Sequence, residues 1–503
     1  MSTIRPDNRA LADNERKSLH KKVVGGLAWT AAAKWISQLV SWPSTIVAAR
    51  LLSPDDFGIA EMAGIYFIVA NVMAEFGIGM AVLQMREMAA EIVAQIASVA
   101  TLFGFLGMAL SFVAAPLLAK FFHTPALEAV VQVVSVTFLL TGLESVPLAL
   151  LQKDLDYRKL SLAESIQALT TATCTVFCAY RGMGYWAIAA GNLAGRSCAV
   201  ALLFYWKPTS FQMPRWAEIA NPLKFGMEVA TQRIAGSIMS LADSIVVGRT
   251  LGQASVGAYR IANSLAYTPV EKIGTMLMRV TGPLFARIQA DKELTVRYFL
   301  LLTQGLTMVL FPLAFGLALV APDAVHVLLG PTKWNATTEP LRWIAVYAGI
   351  RALSYLNGQV LTAQRKTRWA MRNAIVGFVV MPGAFWIASR WGVGAVALTW
   401  LVMSPLNVFA GTFQAVQAVG CGVRAYLNAL LPSVAGSLSM TAAVLFAKSL
   451  PVAASWGFKG HLATEVALGA AGYLFVLGVF FRGRVMQYFD LLRRLRSGTD
   501  AVV

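Results

Sequence analysis

Lys34, Arg233, Arg260 and Arg351 stand inside apolar runs rather than between them, as do Lys272 and the acids Glu75, Glu144, Asp243 and Glu271. An ionised side chain at the centre of a bilayer costs about 2.5–3.5 kcal/mol on insertion scales, so such groups turn toward protein or a wet cavity. The chemistry open to them is binding. Ammonium and guanidinium groups converging on one chamber would hold an anion, and both suit phosphate because they join charge to hydrogen-bond donors. The acids can pair with these cations, and Glu75, Asp243 and Glu271 can also take up a coupling proton or sodium ion. Nothing resembles a Walker A run. Cys174, Cys178, Cys198 and Cys421 form no CxxC pair and read as small core residues. No catalytic group, metal or cofactor is therefore expected.

Helical phase indicates where the chamber lies. At 100° per residue Thr30, Lys34, Ser37, Gln38, Ser41, Ser44 and Thr45 share one arc, which gives the first helix a single polar face. Glu228, Gln232, Arg233, Ser237, Ser240, Asp243 and Ser244 repeat the pattern, with Arg233 in the place of Lys34. Arg260, Asn263, Ser264, Tyr267 and Glu271 line a third face, with Lys272 off it, and Tyr347, Arg351, Ser354, Tyr355 and Thr362 a fourth. The substrate-binding candidates are thus Lys34, Arg233, Arg260, Arg351 and Lys272. For each of them an internal salt bridge or an interface anchor is the competing role. Tyr267, Tyr347 and Tyr355 can stack on sugar rings or simply pack. Arg342 lies opposite Arg351 and is expected to snorkel to the interface, and His123, His326 and His461 are expected as interface residues.

The elements that must position these residues are membrane helices. Hydrophobic residues make up 57% of the 503 and charged ones 13%, whereas a soluble domain averages roughly 25% charged. The apolar residues fall into about fourteen blocks of roughly 20–25 residues, each long enough to cross a bilayer. The fold expected is an all-α polytopic membrane protein whose helices form two pseudo-symmetric lobes around a central cavity. The net charge of +17 does not indicate nucleic acid, because Lys and Arg are spread among the short segments between blocks. They concentrate in the two tails and the even-numbered loops, which places both termini in the cytoplasm. The expected divisions are a tail at 1–22, a first lobe at 23–206, a Pro-rich linker at 207–221, a second lobe at 222–418, two further helices within 419–481 and a basic tail at 482–503. The lobes are suggested by an internal repeat: "ARLLSPDDFGIAEMA" from residue 49 aligns with "GRTLGQASVGAYRIA" from residue 248, matching Arg50 with Arg249 and Gly58 with Gly257.

The segments "ARLLSPDDFGIAEM" at 49–62, "EFGIGMAVLQ" at 75–84, "LQKDLDYRKL" at 151–160, "GPLFARIQ" at 282–289 and "KWN" at 333–335 resemble the polysaccharide-transport branch of the multidrug/oligosaccharidyl-lipid/polysaccharide exporter superfamily, close to Wzx flippases of the colanic-acid type. That resemblance implies a MATE-like two-lobed bundle in the bacterial inner membrane. By alternating access it would carry undecaprenyl-pyrophosphate-linked oligosaccharide between leaflets, with membrane lipids and the polymerase and export machinery as partners. Arg351 lies where such relatives also tend to carry Arg, whereas Lys34 and Arg233 rest on helical phase and the repeat alone. A MATE-like antiporter of drugs or other amphipathic solutes would share the fold but should have a cavity dominated by acids. A glycosyltransferase is the enzymatic rival, because Asp154-x-Asp156 mimics a DxD metal motif; charge balance for Lys153, Arg158 and Lys159 is the competing role of those two acids.

Overall fold

The computed structural model describes residues 37–75, 82, 89–215, 241–449, 457–486 and 488. Every long element among them is a helix, as a hydrocarbon solvent requires: without water, each backbone N–H and C=O must be satisfied within its own segment or by a closed barrel. In chain order the helices are α1 (37–51), α2 (Pro54–Glu75), α3 (Ala90–Phe122), α4 (Ala126–Val134), α5 (Val136–Lys153), α6 (Tyr157–Tyr180), α7 (Trp186–Trp206), α8 (241–251) and α9 (Gln253–Ile288). They continue with α10 (Lys292–Leu319), α11 (Ala321–Leu329), α12 (Asn335–Arg351), α13 (Ser354–Ala363), α14 (Thr367–Ala388), α15 (Val393–Val419), α16 (Val423–Ser449) and α17 (Gly457–Phe480). Eight stretches among the described residues are long and apolar enough to cross a membrane. The blocks expected at 160–180 and 255–280 are also helical, as α6 and α9, but their polar faces keep them out of that set. Residues 281–288, expected as part of a loop, continue α9 instead.

The chain forms two compact units, Met1–Gly257 and Ala258–Val503, so the division falls inside α9. In the first unit α6 packs along α7, and α3 along α5. Val93, Ile96, Ala97 and Ala100 of α3 meet Val146 and Ala149 of α5 in a dry cluster. Residues 207–215 follow α7 without helix and are tied to α3, since the Gln212 N–H donates to Ser98 Oγ at 3.0 Å and the Arg215 N–H to Gln95 Oε1 at 2.8 Å.

The two repeat segments pack directly against each other within this unit. A Cβ placed on Gly58 would lie 1.8 Å from the Gln253 carbonyl oxygen, and one on Gly257 would lie 1.9 Å from that of Pro54. Pro54 and Gln253 are themselves equivalent positions of the repeat, so the contact is reciprocal about a local two-fold. Only glycine permits this approach. Lipid tails are as apolar as Leu, so membrane helices associate largely through van der Waals contact between small residues.

In the second unit α10 packs on α16 and α12, α12 on α15, and α16 on α17. Phe285 of α9, Phe299, Leu306 and Leu310 of α10, Leu356 and Val360 of α13 and Val416 of α15 form its core. The α13–α14 turn reproduces the α5–α6 turn of the first unit. Leu155 and Arg365 both have φ of 56°. The N–H of the next residue donates to the carbonyl of the Leu five positions back in each case, Asp156 to Leu151 at 3.0 Å and Lys366 to Leu361 at 2.8 Å. The same turn also ends α3 at His123, where the Thr124 N–H donates to the Ala119 carbonyl at 3.0 Å, so it is a general way these helices stop.

Large apolar side chains remain uncovered in long rows: Leu106, Leu110, Val113 and Leu117 on α3, and Leu427, Leu431, Leu438 and Leu445 on α16. Rows of that extent on a water-soluble protein would aggregate; here they are the lipid-facing surface of a multi-pass membrane protein. At the glycine crossing, Gly257→Ala and Gly58→Ala should each lower the melting temperature in detergent by several degrees, in line with about 1–3 kcal/mol for overpacking. Gly478→Ala, whose Cβ would meet nothing within 4 Å, should leave the melt unchanged when followed by fluorescence-detected size exclusion.

Candidate functional site

Arg351 is the last residue of α12, where the partial negative charge of a helix C-terminus favours a cation. The expected single helix over 340–363 is broken just beyond it. The Ala352 N–H is shared among the carbonyls of Ala348, Gly349 and Ile350, and α13 begins at Ser354. The guanidinium lies over the Tyr267 ring of α9, 5.3 Å from its centroid. Tyr267 meets Tyr347 edge to face at 6.2 Å, and Tyr347 stacks on Trp400 of α15 at 5.2 Å. The Trp400 indole N–H donates to the Tyr259 hydroxyl at 3.1 Å, which closes the chain of rings back onto α9. Tyr355 of α13 lies flat against Gly274, where a Cβ would come within 2.5 Å of the ring. Glu271 is in electrostatic reach of both Arg351 and Tyr355. Among the described residues no carboxylate forms an ion pair with Arg351, whose side chain is exposed beside its aromatic seat.

The first unit holds a different arrangement. Arg196 of α7 donates to Thr141 Oγ1 at 2.9 Å and to the Glu144 carboxylate, both on α5. Its Nε has no hydrogen-bond partner among the described residues. Arg196 borders a cavity of 210 Å³ lined also by Gln167 of α6, Asn192 of α7, Thr137 of α5 and Phe67 of α2. By sequence Arg196 is a weaker contact candidate than Arg351, and Glu144 is expected either to pair with an intramembrane cation or to bind a coupling ion; the structure shows the pairing. The signal available was Asn192 and Arg196 one turn apart on one face of α7. Near it, Ser37 of α1 donates to Ser165 of α6 at 3.1 Å, which places that end of the first helix's polar face against another polar helix.

Of the expected binding residues, Arg260, Lys272 and Arg351 lie in the second unit and are exposed, as is the acid Glu271. Arg260 sits two turns before Tyr267 on α9, and Lys272 falls off that face. Asp243 of α8 is 4% exposed in the first unit, and its Oδ1 accepts from the Ser244 N–H at 2.7 Å. Glu75 ends α2. Lys34 and Arg233 lie outside the described residues. Both acids of Asp154-x-Asp156 have structural work: Asp154 pairs with Lys207 at 2.5 Å, and Asp156 caps α6 by accepting from the Lys159 N–H at 3.2 Å and pairs with the Lys159 ammonium at the same distance. Removing Glu144 alone, as Glu144→Leu, should cost more stability than the double change with Arg196→Met. The single variant strands a guanidinium at a cost of about 3–5 kcal/mol when burial is complete, and less here, where the two side chains are 15% and 23% exposed. Thermal melts of the two variants measure the difference.

Residues 47–339 match the family described as "Polysaccharide biosynthesis protein". The chain is 25% identical to the lipopolysaccharide biosynthesis protein WzxC of Escherichia coli K12 over 82% of its length and 85% of that protein's. It is 24% identical to the teichuronic acid biosynthesis protein TuaB of Bacillus subtilis over 92% and 96%. Among solved structures, the lipid II flippase MurJ superposes with a TM-score of 0.70 at 13% identity, covering 91% of this chain and 99% of MurJ. A multidrug resistance MATE transporter of the MOP superfamily gives 0.59 at 13% identity, covering 76% and 94%. The charged and aromatic seat on α9 and α12 thus sits in a fold shared by MurJ and MATE transporters, and the chain belongs to the polysaccharide biosynthesis protein family of membrane proteins.

Proposed function

We propose that the protein is a flippase that moves an oligosaccharide unit on a polyprenyl pyrophosphate from the cytoplasmic to the outer leaflet of the bacterial inner membrane, supplying polysaccharide assembly outside. The observation that carries this is Arg351 on its aromatic seat, with its hydrogen-bond donors uncommitted to any carboxylate among the described residues. A pyrophosphate needs such donors, because it leaves water on entering the protein and its charge must be met there. Tyr347 is buried and stacked on Trp400, so of the three tyrosines the partly exposed Tyr355 is the one that would meet a sugar, and the lipid tail can remain in the bilayer. The names of WzxC and TuaB, both biosynthesis proteins of cell-surface polymers, support the substrate class. No bond is made or broken in such a step, so the protein acts as a transporter rather than an enzyme.

Lobes at 23–206 and 222–418, joined by the linker at 207–221, would alternate access to the chamber, with 419–481 as accessory helices and both tails cytoplasmic. Lys34 and Arg233 would supply charge at repeat-related positions, while Arg260 and Lys272 would extend the basic lining of α9. Glu75, Asp243 and Glu271 are the groups through which a proton or sodium gradient would drive the cycle, and a polysaccharide polymerase would receive the product. A MATE-like antiporter of amphipathic solutes is the alternative, favoured by the burial of Asp243.

In proteoliposomes carrying a fluorescent polyprenyl-pyrophosphate oligosaccharide, Arg351→Ala should slow translocation by about tenfold or more. Hydrogen bonds to charged groups are worth about 1.5–3 kcal/mol, and 1.4 kcal/mol is a factor of ten. Arg351→Lys should retain part of the rate, because it keeps the charge but loses the planar fork. Arg342→Ala should transport at the unaltered rate. Undiminished translocation by the triple variant Lys34→Ala, Arg233→Ala, Arg351→Ala would overturn the assignment, and transport of organic cations instead of the lipid would favour the antiporter.

A further inference from the structure

At one end of the second unit Asp323, His461, Glu465 and Lys448 converge from three helices. Asp323 lies in the first turn of α11. His461 and Glu465 are one turn apart on α17, so they present side chains on the same face. Lys448 closes the last turn of α16. His461 Nδ1 lies 3.3 Å from Glu465 Oε1 and 3.4 Å from Asp323 Oδ1. Glu465 is 0% exposed, yet neither of its carboxylate oxygens has a hydrogen-bond donor at bonding geometry among the described residues. Lys448 Nζ is 3.7 Å from Glu465 Oε1 and spends its hydrogen bond on the Leu319 carbonyl at 2.8 Å. Two carboxylates near enough to interact directly therefore share one ammonium and one imidazole, and no cationic donor among the described residues bonds the deeper one at hydrogen-bond geometry. In a protein interior that costs several kcal/mol unless something else meets the charge.

We propose that Asp323, His461 and Glu465 bind one divalent transition-metal cation of the zinc type. One ligand atom from each residue lies within 4.8 Å of the others. The two His461 distances match the roughly 3.3 Å between donor atoms that a tetrahedral ion imposes when its ligands sit about 2.0–2.1 Å away. A residue pair at i and i+4 on one helix face is a spacing that metal-binding helices use. Imidazole with two carboxylates selects zinc, cobalt, nickel or manganese over calcium and magnesium, which favour oxygen ligands throughout. A divalent ion would neutralise both acids and leave Lys448 at its carbonyl. Three protein ligands leave a fourth position for water, and the partial exposure of His461 and Asp323 provides the route of entry. Beneath the cluster Val320, Ala324, Met440, Val444 and Tyr473 form an apolar floor, which keeps the surroundings dry and the ligands fixed. The ion would tie α11 to α17 and so clasp α17 to the body of its unit, whatever the protein carries.

The test uses tag-free, full-length protein in detergent, stripped with a chelator and titrated with Co²⁺ as a spectroscopic stand-in for Zn²⁺. Wild-type protein should bind about one equivalent with the visible bands of a tetrahedral site and release it to Zn²⁺. His461→Ala, Asp323→Asn and Glu465→Gln should each weaken binding by about tenfold or more. His326→Ala should bind as wild type, because that imidazole stacks on Phe458 at 3.7 Å outside the cluster. Size exclusion of each variant separates loss of the site from loss of fold. The proposal falls if wild-type protein shows no saturable Co²⁺ bands, or if His326→Ala loses them as fully as His461→Ala.

Discussion

A polar group inside hydrocarbon must find its partner within the protein, because neither lipid nor water will supply one. That constraint places nearly every feature described above. It makes each long element a helix. It draws Arg196 onto Glu144 and Thr141 across two helices of the first unit, and turns the Ser37 hydroxyl to Ser165. It also seats Trp400 with its indole N–H on the Tyr259 hydroxyl, so that an aromatic side chain otherwise suited to the core keeps its single donor satisfied.

Satisfying polar groups holds partners together, but close packing decides which helices can approach. With no hydrophobic force between helices in lipid, contact depends on small residues, and here the repeat supplies them to itself. Gly58 meets Gln253 and Gly257 meets Pro54, two equivalent contacts made by the two copies of one motif. A duplicated motif thus supplies its own packing surface.

The helices, the repeat and the position of Arg351 inside an apolar run were legible in the sequence because each is a local pattern: apolar length, a constant offset, a cation among apolar residues. Partners were not legible, because phase gives the direction of a side chain without saying what faces it. Arg196 and Glu144 are widely separated in the chain and meet only through the packing of α5 against α7. His461 read as an interface residue for the same reason, since its neighbours Asp323 and Glu465 come together only when α11 meets α17. Tyr267, Tyr347 and Tyr355 could be aligned with the Arg351 face, yet their edge-to-face contacts and the seat they form depend on α9 packing beside α12, which phase alone does not show.

The two best-placed arginines differ in what holds them, and the difference sets what each can do. Arg196 is fixed by a carboxylate and a hydroxyl, so an incoming anion would have to displace a charged partner from the same guanidinium. Arg351 is held by a ring face and a helix terminus, attractions of about 0.5–2 kcal/mol and 0.3–1 kcal/mol. These orient the cation without consuming its in-plane N–H donors. A transporter must bind its cargo and then let it go, which favours a cation that is positioned but not neutralised. On that ground Arg196 organises the first unit, and Arg351 is the cation we propose for the phosphate.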